Sequence, residues 1–294
     1  MKKILILGGL ASDKTPQTEY AKIFQKSMPQ YDFTELRFDQ LFVEVGPEKF
    51  EILDTQNNKD ISTYDLVLFR GKIRQSDQLA FAVSRYLNFK GTKSLNDYFA
   101  YRPPSKLSQA VLFYETKVPF LPTLYSLNNQ VLIDRISGNL DYPLILKDNF
   151  GSHGLNNYFI KSVTELKNTL KKNLEIKFIA QKFCPNDSDY RVLIGGDLEP
   201  LQIKRKASGT SHLNNTSQGG GAEIVDELPS AIIAQAKKIA KKLNMPLSGV
   251  DVIQEKGTHN HFFLEVNSQP QIVSGAFVDE KLKKMADLID SSMK

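Results

Sequence analysis

Toward the C-terminal end of this 294-residue chain, GVDVIQEKGTHNHFFLEVNSQPQ sets Asp251, Glu265 and Asn267 at the ends of two neighbouring strand-like runs. In VDVI one carboxylate is surrounded by Val250, Val252 and Ile253, and in FFLEVN Glu265 and Asn267 stand two apart, so they share a face of an extended segment. Side chains on one face can grip one ion. Mg²⁺ takes hard oxygen donors, commonly one or two carboxylates completed by phosphate oxygens and water. This trio supplies such donors without Cys or His, and a nucleotide is the natural companion of the ion. The plainer alternative for an isolated pattern of this kind is a pair of solvent-facing carboxylates on a hairpin.

Upstream, YPLILKDNFGSHGLNNYFI favours the chemical reading. Lys147 closes an apolar run, where an unpaired ammonium is costly to bury, so an anion is expected beside it. Gly151 and Gly154 bracket Ser152 and His153 in a strand, flexible loop, strand pattern whose glycine-freed N–H groups can hold phosphate oxygens.

In chain order, five segments resemble an ATP-grasp carboxylate–amine ligase of the RimK and glutathione-synthetase type. SKLSQAVLFYETKVPFLPTLY is similar to the family's DKL helix and P-x-T strand, which carries Lys106 onto its first phosphate-contacting lysine. DYPLILKDNFGSHGLNN resembles the second lysine with its glycine loop. AQKFCPNDSDYRVLIGGD resembles the adenine hinge with the DIR-x-x-V-x-G strand, IKRKASGTSHLNNTSQGGGAE the RR…N-x-x-x-GG segment, and GVD…LEVN the metal strands. Each match is weak alone; five in order are specific.

The resemblance implies an α/β chain of α+β lobes with the ATP-grasp fold. An N-terminal α/β pre-ATP-grasp domain would span 1–95, a central subdomain with the lysine and glycine loop 96–185, and a C-terminal subdomain with the metal site 186–294. It implies ATP and Mg²⁺, with Mn²⁺ as a substitute, and a carboxylate joined to an amine through an acyl phosphate with release of ADP and phosphate. Lys106 and Lys147 would meet the α and β phosphates, with Ser152, His153 and Gly154 covering them. Gln181, Lys182 and Phe183 would present backbone to adenine, and Asp189 would take ribose hydroxyls. Arg191 and Arg205 would stabilise γ-phosphate and acyl-phosphate oxygens, which a guanidinium matches bidentately, and Asn215 would orient the same group. Plainer readings are a strand-surface pair of Arg191 with Asp189 or Asp187, an exposed loop position for His153, and a polar hairpin tip for His259 and His261.

Departures from the pattern fall on the acceptor side. Where glutamate-adding members resemble EVN-A-S-P-G, this chain has EVNSQPQIVSGAF, and where they carry a basic residue before an SN pair, SHLNN offers His212 or Leu213. Arg70, Gln269 and Gln271 are therefore the expected substrate contacts, and the carboxamides suit a neutral polar group better than a second carboxylate. The partners implied are a small-molecule or peptide carboxylate and an amine; a homo-oligomer stays open. Two alternatives share the fold: a non-catalytic nucleotide-binding or ribosome-associated module, and a carboxylate kinase.

The remaining composition narrows the classes. The length allows two or three lobes, each with its own core. No apolar run approaches the ~20 residues of a membrane span, and MKKILILGG reads as a first buried strand rather than a signal peptide, so cytoplasm and no membrane partner are expected. The single cysteine, Cys184, excludes an internal disulfide and a cysteine-rich zinc site, and its position in the hinge reads as packing. A net charge of +5 raises nucleic acid, with Lys171, Lys172, Lys237, Lys238, Lys241, Lys242, Lys281, Lys283 and Lys284 as footprint. In PSAIIAQAKKIAKKL, however, Ile232, Ala236, Ile239, Ala240 and Leu243 recur at helical spacing, which leaves the lysines on a solvated face. No basic segment is studded with aromatics, and no nucleic-acid partner is expected.

The positioning elements follow from periodicity. KKILILGG, YDFTELRF and YDLVLFRG read as strands alternating with helices in TEYAKIFQKS and SDQLAFAVSRYL, which predicts a parallel-type core. GGLASD lacks dinucleotide spacing, so this lobe is read as substrate-side. GPEK joins FVEV and FEIL as a hairpin. Ser105 is a candidate N-cap after RPPS, and Ser162 with Glu165 has the spacing of a capping box. SGTSHLNNTSQGGG reads as a polar segment too loose for a core, and a last helix lies near DEKLKKMADLID.

Overall fold

Runs such as ILIL and LVLF, apolar at every position, belong in strands covered on both faces. The computed structural model of this chain, which describes residues 1–11, 19–71, 73, 76–98, 105–151, 154–206 and 221–294, places them there. The first lobe comprises β1 (Lys2–Leu7), α1 (Tyr20–Ser27), β2 (Tyr31–Leu36), β3 (Leu41–Gly46), β4 (Lys49–Asp54), β5 (Lys59–Asp60), β6 (Leu66–Phe69), α2 (Asp77–Lys90) and β7 (Lys93–Leu95). Its parallel sheet has the order β2-β1-β6-β7, while β3, β4 and β5 form a separate antiparallel excursion around the expected GPEK turn.

The next stretch carries α3 (Lys106–Thr116), β8 (Thr123–Tyr125), α4 (Asn129–Ile136), β9 (Leu144–Asp148), β10 (Asn157–Ile160), α5 (Val163–Lys172) and β11 (Phe178–Lys182). The four strands pair antiparallel as β10-β9-β11-β8. Ser105 caps α3 by accepting from the Ser108 amide at 3.2 Å. Asn149, at the end of β9, accepts the next free amides of that helix, Lys106 N–H on its carbonyl and Leu107 N–H on its side chain, both at 2.9 Å. Ser162 caps α5 as its spacing predicts. The reciprocal half differs: the Glu165 carboxylate accepts from Lys161 N–H at 2.8 Å, one residue earlier than a capping box requires.

The last stretch holds β12 (Ser188–Gly195), β13 (Leu201–Lys206), β14 (Ala222–Val225), α6 (Ser230–Lys242), β15 (Leu247–Gln254), β16 (His261–Asn267) and α7 (Val278–Ser292). Its antiparallel sheet has the order β14-β13-β12-β15-β16. One face packs on α6 through the Ile232, Ala236 and Ile239 stripe read from the sequence, and Leu112 and Phe113 of α3 join the same core.

Two features decide how the lobes relate. Ile4, Ile6 and Leu66 of the parallel sheet share one core with Leu193, Ile203 and the α7 residues Leu282, Met285 and Ile289. The central sheet instead closes its own core with α4 and α5, using residues between 124 and 180 alone. Asn96, just after β7, pins the first and last lobes further: its carboxamide donates to the Leu247 and Ser268 carbonyls and accepts from Leu247 N–H. Among the described residues no helix is long and apolar enough to cross a membrane.

Candidate active site

Strand alternation gathers the charged residues of the last lobe on the face of its sheet opposite α6. Across neighbouring strands, Asp189 pairs with Arg205, Arg191 with Asp251, Asp251 with Glu265, and Gly249 with Asn267. The register shifts between Asp251 and Val252, so β16 has one residue more than β15 there. That bulge turns Phe263 into the α6 core beside Val252 while Glu265 stays opposite Asp251.

Asp251 is the hub. Arg191 grips it bidentately, through Nε and, at 2.8 Å, through Nη2. Arg205 reaches it at 3.2 Å and holds Asp189 at 2.6 Å. Asn267 Nδ2 stands 3.5 Å from its second oxygen. Burial alone would raise the Asp251 carboxyl, but Arg191 and Arg205 outweigh it and keep the group below the usual carboxylate range. At Asp189 burial prevails over Arg205 and pushes the carboxyl up to about 6. Burial also opposes the charge on Arg205, yet Asp251 and Asp189 hold that guanidinium above its ordinary value. Asp187 pairs with Lys256, so neither surface partner weighed for Arg191 is the one it takes.

Opposite this face stand the two lysines. Lys106 Nζ donates to the Gly151 carbonyl, and Lys147 Nζ donates to Gln181 Oε1 at 2.7 Å. Gln181 is fixed in turn by Thr123 Oγ1 at 3.0 Å. Burial pushes Lys147 down to about 8, with Glu265 pulling the other way. Both ammonium groups therefore rest on neutral oxygens, as groups awaiting an anion do.

Between the two sides lies a cleft of about 1200 Å³ including its open mouth. Lys106, Lys147, Gly154, Gln181, Lys182 and Phe183 line one side, and Asp189, Arg205, Asp251 and Glu265 the other. Ile145, Ile179, Ile253 and Leu264 give it apolar walls suited to a planar base. At the expected hinge, Lys182 N–H is already bonded to the Pro122 carbonyl at 3.0 Å, so that amide is not free for adenine. Cys184 is buried against Leu121 and Ile253 and burial raises its thiol to about 11, in keeping with packing. His259 is exposed at the turn, but His261 is buried beside Tyr190 with ring centres 6.3 Å apart, so the hairpin-tip reading fits only the first. Ser152, His153, Asn215 and the segment 207–220 lie outside the described residues.

On the acceptor side the structure corrects the expectation. Arg70 is 4% exposed and Gln269 is spent on it: the carboxamide oxygen accepts from Arg70 Nη1 and Gly71 N–H, both at 3.1 Å, and its nitrogen donates to the Phe69 carbonyl. Arg70 also donates to the Pro270 carbonyl. The pair bridges the first and last lobes and lines neither cavity described here. Gln271 does reach a space, a smaller cavity of about 450 Å³ that it shares with Arg191, Arg205 and Lys281. Lys281, which by sequence belongs to the candidate nucleic-acid footprint, is 5% exposed. Burial, then Arg191 and Arg70, push it down to about 8. The signal was present, since Lys281 precedes Met285 by four and Leu288 by seven and so falls in the apolar stripe of α7.

Among the described residues no three His, Cys, Asp or Glu side chains gather to hold a metal by themselves. Both Asp251 oxygens are taken here by Arg191, Arg205 and Asn267, so a dication at Asp251, Glu265 and Asn267 would need Arg191 to give up an oxygen and would draw its other ligands from phosphate oxygens and water.

The comparisons with known proteins agree with this geometry. A family profile described as a RimK-like ATP-grasp domain matches residues 116–289. A probable alpha-L-glutamate ligase of Vibrio atlanticus is 28% identical over 196 residues, which cover 64% of this chain and 64% of that protein. A D-alanine–D-alanine ligase of Clostridium botulinum is 26% identical over 57% of this chain and 60% of that protein. Among solved structures, the ATP-grasp ligase PsnB, complexed with a phosphomimetic variant of its minimal precursor, Mg and ADP, superposes with a TM-score of 0.75 at 13% identity, over 99% of this chain and 98% of that one. With a profile match over more than half its length, the chain belongs to the RimK-like ATP-grasp family.

Proposed function

We propose that the chain is an ATP-dependent ligase that activates a carboxylate as an acyl phosphate and joins it to an amine, releasing ADP and phosphate. The observation that carries this reading is the opposition, across one cleft, of two lysines resting on neutral oxygens and a sheet face bearing Asp251, Glu265 and Asn267.

Carboxylates are poor electrophiles, and phosphoryl transfer makes one reactive; the protein's part is positioning and charge stabilisation. Lys106 and Lys147 exchange their neutral partners for the α and β phosphates. Gly154, with Ser152 and His153 by resemblance, closes over them, and the hinge from Gln181 to Phe183 borders the base. Asp251, Glu265 and Asn267 would hold Mg²⁺, which when bound would neutralise phosphate charge; Mn²⁺, another oxygen-liganded dication, is expected to substitute. Arg205 lines both the cleft and the smaller cavity, so its guanidinium stands where the γ-phosphoryl group passes to the carboxylate. Arg191 holds Asp251 in place, and Asn215 is assigned by resemblance to the same oxygens.

With the division at about residues 95 and 185, the nucleotide lies between the central and last subdomains and the acceptor between the first and last. The substrates are amino acids or peptides, a class supported by the relatives named above. The decisive experiment uses a carboxylate substrate labelled with heavy oxygen. Label is expected in the released phosphate, and release of AMP and pyrophosphate instead would exclude an acyl phosphate.

A further inference from the structure

Of the charges around the smaller cavity, the proposed reaction uses Arg205 and, through Asp251, Arg191, but gives no part to Lys281. Its wall brings together three cations from separate elements: Arg191 of β12, Arg205 of β13 and Lys281 of α7. The two guanidiniums share Asp251 and Asp189, but among the described residues no carboxylate reaches Lys281, whose Nζ donates to the Ser274 carbonyl at 2.6 Å. An ammonium that is 5% exposed with only a carbonyl for company is costly to keep, and the fold keeps it facing an open space.

A second observation concerns the space itself. Gly275 has φ of +75°, and a methyl group there would stand 3.3 Å from Gln271 Oε1 and 3.9 Å from Lys281 Nζ. The turn thus lets the Gln271 carboxamide and the Lys281 ammonium both come up against Gly275, at the edge of the space that those two side chains line. Pro270, Ala276 and Ile203 supply apolar contact on the remaining sides.

We infer that this cavity is a carboxylate subsite and that Lys281 is the residue that holds the anion. The ligand is an amino acid or peptide with a carboxylate besides the group that reacts; Gln271 donates to its second oxygen, and its other end points toward Arg205. Specificity then comes from a cation on the last helix, and a neutral amide in place of the carboxylate leaves Lys281 unpaired. The inference rests on the ligase reading for its meaning, but its test does not.

The probe is glutarate, a dicarboxylate without an amine, compared with the neutral glutaramide by titration calorimetry on the full chain with saturating ADP and Mg²⁺, so that the nucleotide cleft is filled. Glutarate is expected to bind at least about tenfold more tightly than glutaramide. Lys281→Met should weaken glutarate by about tenfold or more without changing the affinity for ADP, and Lys281→Arg should recover most of the loss. Equal binding of glutarate and glutaramide by the wild type, or unaltered glutarate binding in a folded Lys281→Met, overturns the subsite. If glutarate binds as described while no carboxylate and amine pair yields ADP, the ligase reading fails and the subsite stands.

Discussion

The nucleotide cleft and the smaller cavity share Arg205 and one sheet face, yet they are assembled differently. The cleft residues arrive in short runs: Lys147, Asp148, Gly151 and Gly154 on and just after one strand, Gln181 to Phe183 on another, Asp251 and Glu265 on a strand pair. The smaller cavity takes single residues from β12, β13, the 270–276 turn and α7. A site built from runs can be read along the chain, whereas one built from single residues exists only after packing. The charges differ as well. In the cleft, carboxylates and cations oppose one another, and in the smaller cavity one ammonium has no carboxylate within ion-pair reach among the described residues.

The largest effect that tests the comparison is at the metal strands. Asp251→Asn and Glu265→Gln should each lower kcat by about 10²–10³-fold or more, with full nucleotide binding measured separately. Their stabilities should diverge. Asp251 is the common partner of the buried Arg205 and the half-buried Arg191, so its substitution is expected to cost about 3 kcal/mol in denaturant unfolding, whereas Glu265→Gln leaves the midpoint nearly unchanged. Equal stability losses would mean the Arg191 and Arg205 contacts carry no weight.

Next in size is Lys147→Met, expected to weaken ATP by about tenfold or more while leaving glutarate affinity intact. Loss of both affinities together would erase the distinction between the two spaces.

A third variant probes the join. At Gly249 a methyl group would lie 2.7 Å from Arg191 Cδ and 3.2 Å from Pro270 Cβ. Gly249→Ala should therefore push Arg191 off Asp251 and cost about 1–3 kcal/mol of stability. A crystal structure showing Arg191 unmoved would refute this.

The smallest effect is on pH. The charged groups bearing on Lys281 are Arg191, Arg70 and Arg205, with Glu280 on its own helix. Its folded value is about 8 against 10.5 ordinarily. Below pH 8 it is charged in both states and the burial cost is present in full; between 8 and 10.5 the unfolded chain binds more protons, so stability rises with pH. Lys281→Met should accordingly raise Tm at pH 7 by about 2–4 °C, and the gain should vanish near pH 10.5. A gain that does not change with pH would show that packing, not charge, is responsible.

What was legible follows the same division. Period-two strands and helical stripes placed β1, β6, β9, β15 and α6, the Ser162 spacing placed the cap of α5, and the family resemblance, not periodicity, brought Lys106, Lys147, Asp251 and Glu265 together at one cleft. The clasp of Gln269 on Arg70 was not legible, because those residues are 199 positions apart and a carboxamide beside a metal strand looks the same whether it meets substrate or backbone. Lys281 was misread for a different reason: in a helix rich in lysine, charge count hides the one position that lies in the apolar stripe.

The core that β1 and β6 share with α7, tightened by Asn96 and by Arg70 with Gln269, determines which part of the molecule can move. The first and last lobes cannot separate without exposing that common interior, whereas the central sheet carries a complete interior of its own. A narrowing of the cleft would therefore be a swing of the central sheet with α4 and α5 against the frame formed by the first and last lobes. The frame holds Asp251, Glu265 and Lys281 at fixed mutual distances, while the swinging part delivers Lys147 and whatever it holds. A molecule divided in this way can admit and release its nucleotide without disturbing the acceptor's alignment.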